Sequence, residues 1–383
     1  MHISWQEVSA RRLARSHLTG PRCPAGAARV SSAVVGVHAQ VMSAAELSVG
    51  LRTEGCTRAQ VRAALWSERC LVKTRGPRGT VHLIAADDLP MWTGALSAIP
   101  PGPSPFKPEV RLTAGQTDEV VAAIADAVES AAQELTVDEL TEAIVARVGS
   151  WAGALVMPAF QVDWPRWRQA EAVATSRGVL CFGPLRGRHV TYTSPRRWLP
   201  GFRPDPPDQA LPALLTSFLH AYGPATPAQF GRWLGAPVGW SAALFAGLRE
   251  ALEAVTFEGA EAWQKAGEVP GGAAGPSLRL LPYFDAYVIG CHPRATLFPG
   301  RAGTRALTRG QAGNVPVLLI DGVVAGVWHQ RRSGRAIAVT VEPFDDLSAR
   351  QRSALAEEVD RIGVVLEGRA RLTIGDVQIG AHA

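Results

Sequence analysis

The sequence predicts an α+β fold: three tandem winged-helix (helix-turn-helix) units followed by a C-terminal β-barrel-like scaffold. Three observations predict it. A Thr-x-x-Gln/Glu signature, the pattern of a helix capping box, recurs three times. Each copy is followed by apolar segments and by a pair of short β-type runs around a turn. After about Gly271 the chain changes character and becomes β-rich.

The first unit, residues 1–100, has its capping box at Thr57-Arg58-Ala59-Gln60, opening a helix through about Trp66. Cys70 to Lys73, a turn at Arg75-Gly76-Pro77-Arg78-Gly79, and Thr80 to Ile84 read as strand, turn, strand. Pro100 to Pro105 reads as a linker or rigid crossover. In the second unit, residues 101–203, Thr136-Val137-Asp138-Glu139 opens a helix through Val148. Its hairpin runs from Gly178–Phe182 through a turn at Gly183 to Gly187 into His189–Tyr192. Pro204 to Pro212 reads as the separator before the third unit, residues 204–270. There Thr226-Pro227-Ala228-Gln229 is the cap, and a weaker hairpin lies near Ala254 to Trp263.

In residues 271–383 the strand candidates are Leu278–Leu281, Tyr287–Gly290, Pro316–Ile320, Val323–Trp328 and Ala336–Val341. Asp321-Gly322 between two of them is a strong hairpin signal. A final helix over Ser348–Ile362 has Ser348 as its N-cap.

Composition bounds the partners. Of the 383 residues, 47% are hydrophobic and 19% charged, a globular balance with room for several cores. No apolar run is long enough for a membrane span, and the N-terminus lacks the layout of a secretory signal. The five cysteines are scattered, without CxxC or Cys/His spacing, so no disulfide framework, metal or cofactor is expected and a reduced cytoplasm fits best. All but three of the 39 basic residues are arginine, the net charge is +5 and the pI about 9.2. Arginine forks suit phosphate and base edges. Lys73, Arg75 and Arg78 on the first hairpin, and Arg186 and Arg188 on the second, stand where wings would meet a DNA backbone.

The chain then resembles a known family, the bacterial winged-helix DNA glycosylases typified by AlkZ and YcaQ. The resemblance runs through Trp5 with Arg11-Arg12-Leu13-Ala14-Arg15, Val35-Gly36-Val37-His38-Ala39-Gln40, and Arg78-Gly79-Thr80-Val81-His82-Leu83. It continues in Tyr222-Gly223-Pro224-Ala225-Thr226, Leu280 to Tyr287, and Asp321-Gly322 with Gly326-Val327-Trp328. It implies three winged helices scaffolded by a β-barrel, with a positive concave surface for duplex DNA. It also implies hydrolysis of the N-glycosidic bond of alkylated purines, chiefly N7-alkylguanines. In several members that activity gives self-resistance to a DNA-alkylating natural product. The family's catalytic motif is Gln-x-Gln or Gln-x-Asp. Here the matching positions are His38 and Gln40, so the first position departs from the pattern.

Ser43-Ala44-Ala45-Glu46 reads as a capping box, which places His38 and Gln40 just before a helix. In an extended segment residues i and i+2 face the same side, so both side chains can converge on one water. The bland alternative for His38 is a core histidine in the apolar run Val34–Met42. Arg294 is a further candidate for DNA contact, and Asp285, Tyr287 and His292 are candidates for a pocket; for Asp285 and Tyr287 a buried hydrogen-bonded pair is the competing reading. Trp164, Arg166, Trp167 and Arg168 read as an aromatic-basic cluster or as a helix with buried tryptophans. His82 reads as structural. The only early lysine, Lys73, sits on a wing, so a monofunctional enzyme is expected; repeated units within one chain favour a monomer, and the resemblance implies double-stranded DNA with an alkylated purine as the partner. A non-catalytic winged-helix regulator is the alternative.

Overall fold

The computed structural model describes residues 1–104, 106–158, 163–269 and 275–378. All three expected capping boxes form. Thr57 caps Arg58–Trp66, Thr136 caps Val137–Val148 and Thr226 caps Pro227–Leu234. In each, the threonine hydroxyl accepts from the backbone N–H three residues on, whose own side chain accepts from the threonine N–H. Such a cap stabilises a helix by roughly 1 kcal/mol.

The hairpins follow. Leu71–Arg75 pairs with Val81–Ala85, Cys181–Phe182 with Thr191–Thr193, and Leu252–Phe257 with Ala260–Lys265. The third, weak in sequence, is fully formed. Its turn residues Glu258 (φ 48°) and Gly259 (φ 78°) are both left-handed, the geometry that matches strand twist.

Several expectations change. The Pro204–Pro212 separator is largely helix: Pro207–Tyr222 begins inside it, with Pro207 at the first helical position, where a missing N–H costs nothing. Tyr287–Gly290 is not a strand but the end of the helix Ala286–Gly290, because the Asp285 carboxylate caps the Tyr287 N–H at 3.0 Å. The capping box at Ser43 does not form. The helix Met42–Arg52 starts one residue earlier, and Glu46 instead accepts from Arg62 at 2.6 Å. Pro105 and the 270/271 boundary lie outside the described residues.

The C-terminal sheet runs in the order Leu278–Leu281, Val317–Ile320, Val323–Ser333, Ala336–Pro343, Arg369–Ile374. The last pairing is parallel, and its strand Arg369–Ile374 was not anticipated from sequence. The sheet is open, and the helix Ala349–Val365 packs against both of its edge strands, so the scaffold is a half-barrel. Among the described residues no helix is long and apolar enough to cross a membrane.

The core is shared unevenly. The second unit has its own, built on Val120, Ile124, Leu140, Ile144, Trp167 and Tyr192. The first unit, the third unit and the start of the scaffold share another, running from Val37 and Trp92 through Phe218 and Trp233 to Tyr287 and Val317. The first strand, His2–Ile3, pairs with Thr256–Phe257 and so completes the sheet of the third hairpin.

One buried ion pair crosses this core. Arg52 donates to both oxygens of Asp285 at 2.8 Å, and neither side chain is exposed. Ser48 donates to the same carboxylate at 2.8 Å, and Arg52 Nε donates to the Ser16 carbonyl at 3.0 Å. Removing one partner from such a pair strands a buried charge, whereas an apolar replacement of both costs little. Asp285→Ala is expected to lose about 3–5 kcal/mol in urea unfolding, and an Arg52→Met/Asp285→Leu double variant to recover most of it. A single-variant loss below about 1 kcal/mol would contradict this.

Candidate active site

The segment before the helix Met42–Arg52 is a third strand of the first hairpin. After a left-handed turn at Val35 (φ 51°) and Gly36 (φ 88°), Val37–His38 pairs antiparallel with the strand Val81–Ala85. Ala39 N–H then donates to the Val81 carbonyl at 2.8 Å. Ser31 anchors the turn by donating to the Leu83 carbonyl at 2.9 Å, and the Tyr222 hydroxyl donates to the Val34 carbonyl. Strand alternation turns His38 and Gln40 to one side. Both line a single cavity of about 650 Å³, within the usual range for ligand pockets.

Each side chain is fixed. The Gln40 amide oxygen accepts from the Val81 N–H at 3.3 Å, which orients the carboxamide and leaves its NH₂ and a second lone pair for the cavity. His38 lies against His82, ring centroids 4.1 Å apart, and His82 is directly opposite it in the sheet. His82 Nδ1 is 2.8 Å from the Thr80 carbonyl and so carries the proton. Gly76 closes over that ring: a Cβ there would stand 2.8 Å from His82 Nδ1.

Burial holds the His38 imidazole well below its usual value, and His82 and Arg78 push the same way. Burial drives His82 down to about 4 against the opposing effect of the Thr80 carbonyl. His292, across the cavity, is pushed down to about 3 by burial, then by Arg294, Arg12 and Arg232. All three are therefore neutral at pH 7, and the His38 ring then carries one N–H donor and one acceptor nitrogen. The cavity wall includes Arg78, Arg232, Arg294, Arg309, Gln311 and Asn314, and among the described residues lining it none is Asp or Glu. Among the described residues no group of His, Cys, Asp or Glu is placed to hold a metal ion.

The other expected site residues divide. Arg78, Arg294 and His292 come together with His38 and Gln40 around the cavity. The Arg78 guanidinium donates to the Trp233 carbonyl, and Arg294 donates to the carbonyls of Val288, Ile289 and Cys291. Lys73 and Arg75 do not sit at a free wing tip. Lys73 lies over the Phe182 ring at 5.3 Å and Arg75 pairs with Glu171, because the first hairpin packs against the second unit. Arg186 pairs with Glu139, while Arg188 is exposed on the second hairpin. Asp285 and Tyr287 stand behind the pocket: Asp285 is held by Arg52, and the Tyr287 hydroxyl is 3.3 Å from Ser9 Oγ and from the Gly322 carbonyl it donates to. Their side chains thus take separate partners. Trp167 is buried and donates to Thr141 at 2.9 Å, whereas Trp164 is partly exposed under Arg168.

Arg232, Arg309, Gln311 and Asn314 escaped the sequence reading. Arg232 is on the capped helix Pro227–Leu234, a place where a basic residue could have been noticed. Arg309 and Gly310 (φ 51° and 76°) form a tight turn closed by reciprocal Thr308–Gln311 bonds of 2.9 and 3.0 Å, for which Arg-Gly is a weak signal.

The family described as DNA glycosylase AlkZ-like matches residues 32–364, most of the chain, including the strand that carries His38. The chain belongs to the AlkZ-like DNA glycosylases. It is similar to an interstrand DNA cross-link repair glycosylase of Streptomyces sahachiroi, at 31% identity over 94% of this chain and 96% of that one. The solved structure of Streptomyces sahachiroi DNA glycosylase AlkZ superposes with a TM-score of 0.79 at 28% identity, covering 98% of this chain and all of that one. As an AlkZ-like glycosylase the protein is an N-glycosidic bond hydrolase acting on DNA.

The buried neutral histidines set the acid stability. Their folded pKa values lie below the unfolded value of about 6.5, so the unfolded chain binds more protons below that pH. Stability is full above pH 6.5 and falls as pH drops, for His82 down to about pH 4. The expected slope is about 1.4 kcal/mol per pH unit for each histidine. Urea midpoints at pH 8, 6 and 5 measure it, and His82→Asn should flatten the curve.

Proposed function

We propose that the enzyme hydrolyses the N-glycosidic bond of bulky N7-alkylguanine in duplex DNA, as a monofunctional glycosylase working as a monomer. The observation that carries this is a cavity whose histidines, His38 and His292, are both held neutral and whose lining, among the described residues, includes no carboxylic acid. Such a site has no good proton donor for a leaving base. N7-alkylation removes that need, since the base already bears a formal positive charge and departs neutral. What remains is to place a water and to stabilise an oxocarbenium-like sugar.

His38 and the anchored Gln40 suit the first task. A neutral imidazole nitrogen and an amide oxygen on one side of a strand hold a water between them, and the Val81 N–H keeps the amide in register. The 650 Å³ cavity leaves room for a substituent beyond the purine, which supports a bulky adduct and a self-resistance role. Arg78, Arg232, Arg294 and Arg188 serve the DNA backbone.

On duplex DNA carrying N7-alkylguanine, the wild type is expected to yield abasic sites seen by alkaline cleavage, with no borohydride-trapped adduct. A His38→Ala/Gln40→Ala variant should lose roughly 10²–10⁴-fold in single-turnover rate. Equal yields from the two proteins would sink the catalytic assignment and leave a DNA-binding regulator.

A further inference from the structure

Elsewhere in the protein, arginines are gathered around shared carboxylates. Glu358 takes Arg22, Arg279 and Arg361; Glu342 takes Arg301 and Arg305; Glu171 takes Arg75 and Arg168. The cavity breaks this habit. Arg12, Arg232 and Arg294 lie near His292, Arg78 lines the same cavity and acts on Arg294, and among the described residues none of the four pairs with a carboxylate. Three of them rest on neutral main-chain carbonyls: Arg12 on Gly223, Pro224 and His292, Arg78 on Trp233, and Arg294 on Val288, Ile289 and Cys291. Arg232 is exposed at the cavity mouth. Burial, with repulsion from Arg232, Arg78 and Arg12, lowers Arg294 to about 10. Clustered, partly desolvated cations without counter-ions are costly, and an incoming anion relieves that cost.

The same cavity must accommodate positive charge on the reacting sugar. Facing guanidiniums without counter-ions, an oxocarbenium-like transition state would be repelled, and among the described residues no carboxylate lines the wall to offset it. A phosphate seated between them makes the charges alternate: guanidinium, phosphate, sugar. Arginine binds two phosphate oxygens in a fixed fork and so sets where that charge stands.

We propose that Arg232, backed by Arg78 and Arg294, grips a phosphodiester adjoining the target nucleotide, and that this phosphate, in place of a protein carboxylate, is the counter-ion of the oxocarbenium-like sugar. The bond from C1′ to the base breaks with its electron pair passing to the leaving base, which for an N7-alkylguanine cancels the charge of the ring. The water held by His38 and Gln40 bonds to C1′ and gives its proton to solvent. The inference rests on the glycosylase reading above, though not on which base is removed.

The test replaces single phosphates flanking the target by neutral methylphosphonate, in two duplexes. One carries N7-methylguanine and reads single-turnover excision. The other carries a protonated pyrrolidine in place of the sugar and reads binding to a cationic sugar without any leaving base. At one phosphate, the substitution is expected to slow wild-type excision by roughly 10²–10³-fold and to weaken pyrrolidine binding by at least 10-fold, with undamaged-duplex binding changed less than about 3-fold. Arg232→Gln should show a comparable loss and no further loss at that phosphate, whereas Arg232→Lys should recover part of it. The proposal is overturned if no phosphate shows this coupling to Arg232→Gln, or if all flanking phosphates behave alike. Loss of wild-type excision with pyrrolidine coupling intact would instead refute the N7-alkylguanine assignment alone.

Discussion

The Arg52–Asp285 pair joins pieces of chain more than two hundred residues apart, and the elements it ties both contribute to the wall of the His38–Gln40 cavity. Arg52 ends the helix that follows His38 and Gln40; Asp285 begins the helix that supplies Ile289 to the opposite wall. Two 2.8 Å bonds, with Ser48 and the Tyr287 N–H on the remaining lone pairs, fix the distance between those walls. A buried pair contributes little net stability relative to apolar packing, and its value here is positional. Were the two helices free to slide, the cavity would change shape without any residue of its lining being replaced.

That frame explains the strained local choices around the site. Val35, a β-branched residue, takes a left-handed φ of 51° that costs on the order of 1–3 kcal/mol. The turn it makes is what brings the chain back to pair with the strand Val81–Ala85, and so puts His38 opposite His82. Gly235 (φ 87°) ends the capped helix of the third unit where the Arg78 backbone arrives; a Cβ there would stand 3.0 Å from Arg78 Cα. The cavity is therefore assembled at a junction, with the first hairpin, the third unit and the scaffold each giving one wall. No one of these three pieces could build it alone.

What the sequence made legible follows from how local each interaction is. The caps at Thr57, Thr136 and Thr226 involve residues three apart, and every one of them formed. His38 and Gln40 could be paired from the period of an extended segment. Their strand partner could not be foreseen, since Val81–Ala85 lies more than forty residues on and the pairing is two residues long. Tyr287–Gly290 misled for the same reason. Its apolar run suits a strand, and only the Asp285 cap, itself positioned by Arg52, decides for a helix. The Ser43 capping box failed because Glu46 had a better partner in Arg62, on another helix.

Arginine content was the least local signal and the most ambiguous. A pI near 9.2 suggests polyanion binding, yet many arginines are structural. Arg11, Arg12 and Arg197 donate to carbonyls at segment ends, and Lys73 and Arg75 fasten the first hairpin to the second unit. Charge on a side chain thus says little until its partner is known. An arginine whose neighbours are carboxylates is neutralised and contributes little field at a distance. One resting on neutral carbonyls keeps its full charge while being held in place. The cavity concentrates the second kind: Arg78, from the first hairpin turn, and Arg294 are held on carbonyls beside His38 and Gln40 and keep their charge, whereas Lys73 and Arg75 of the same hairpin are taken up by the second unit.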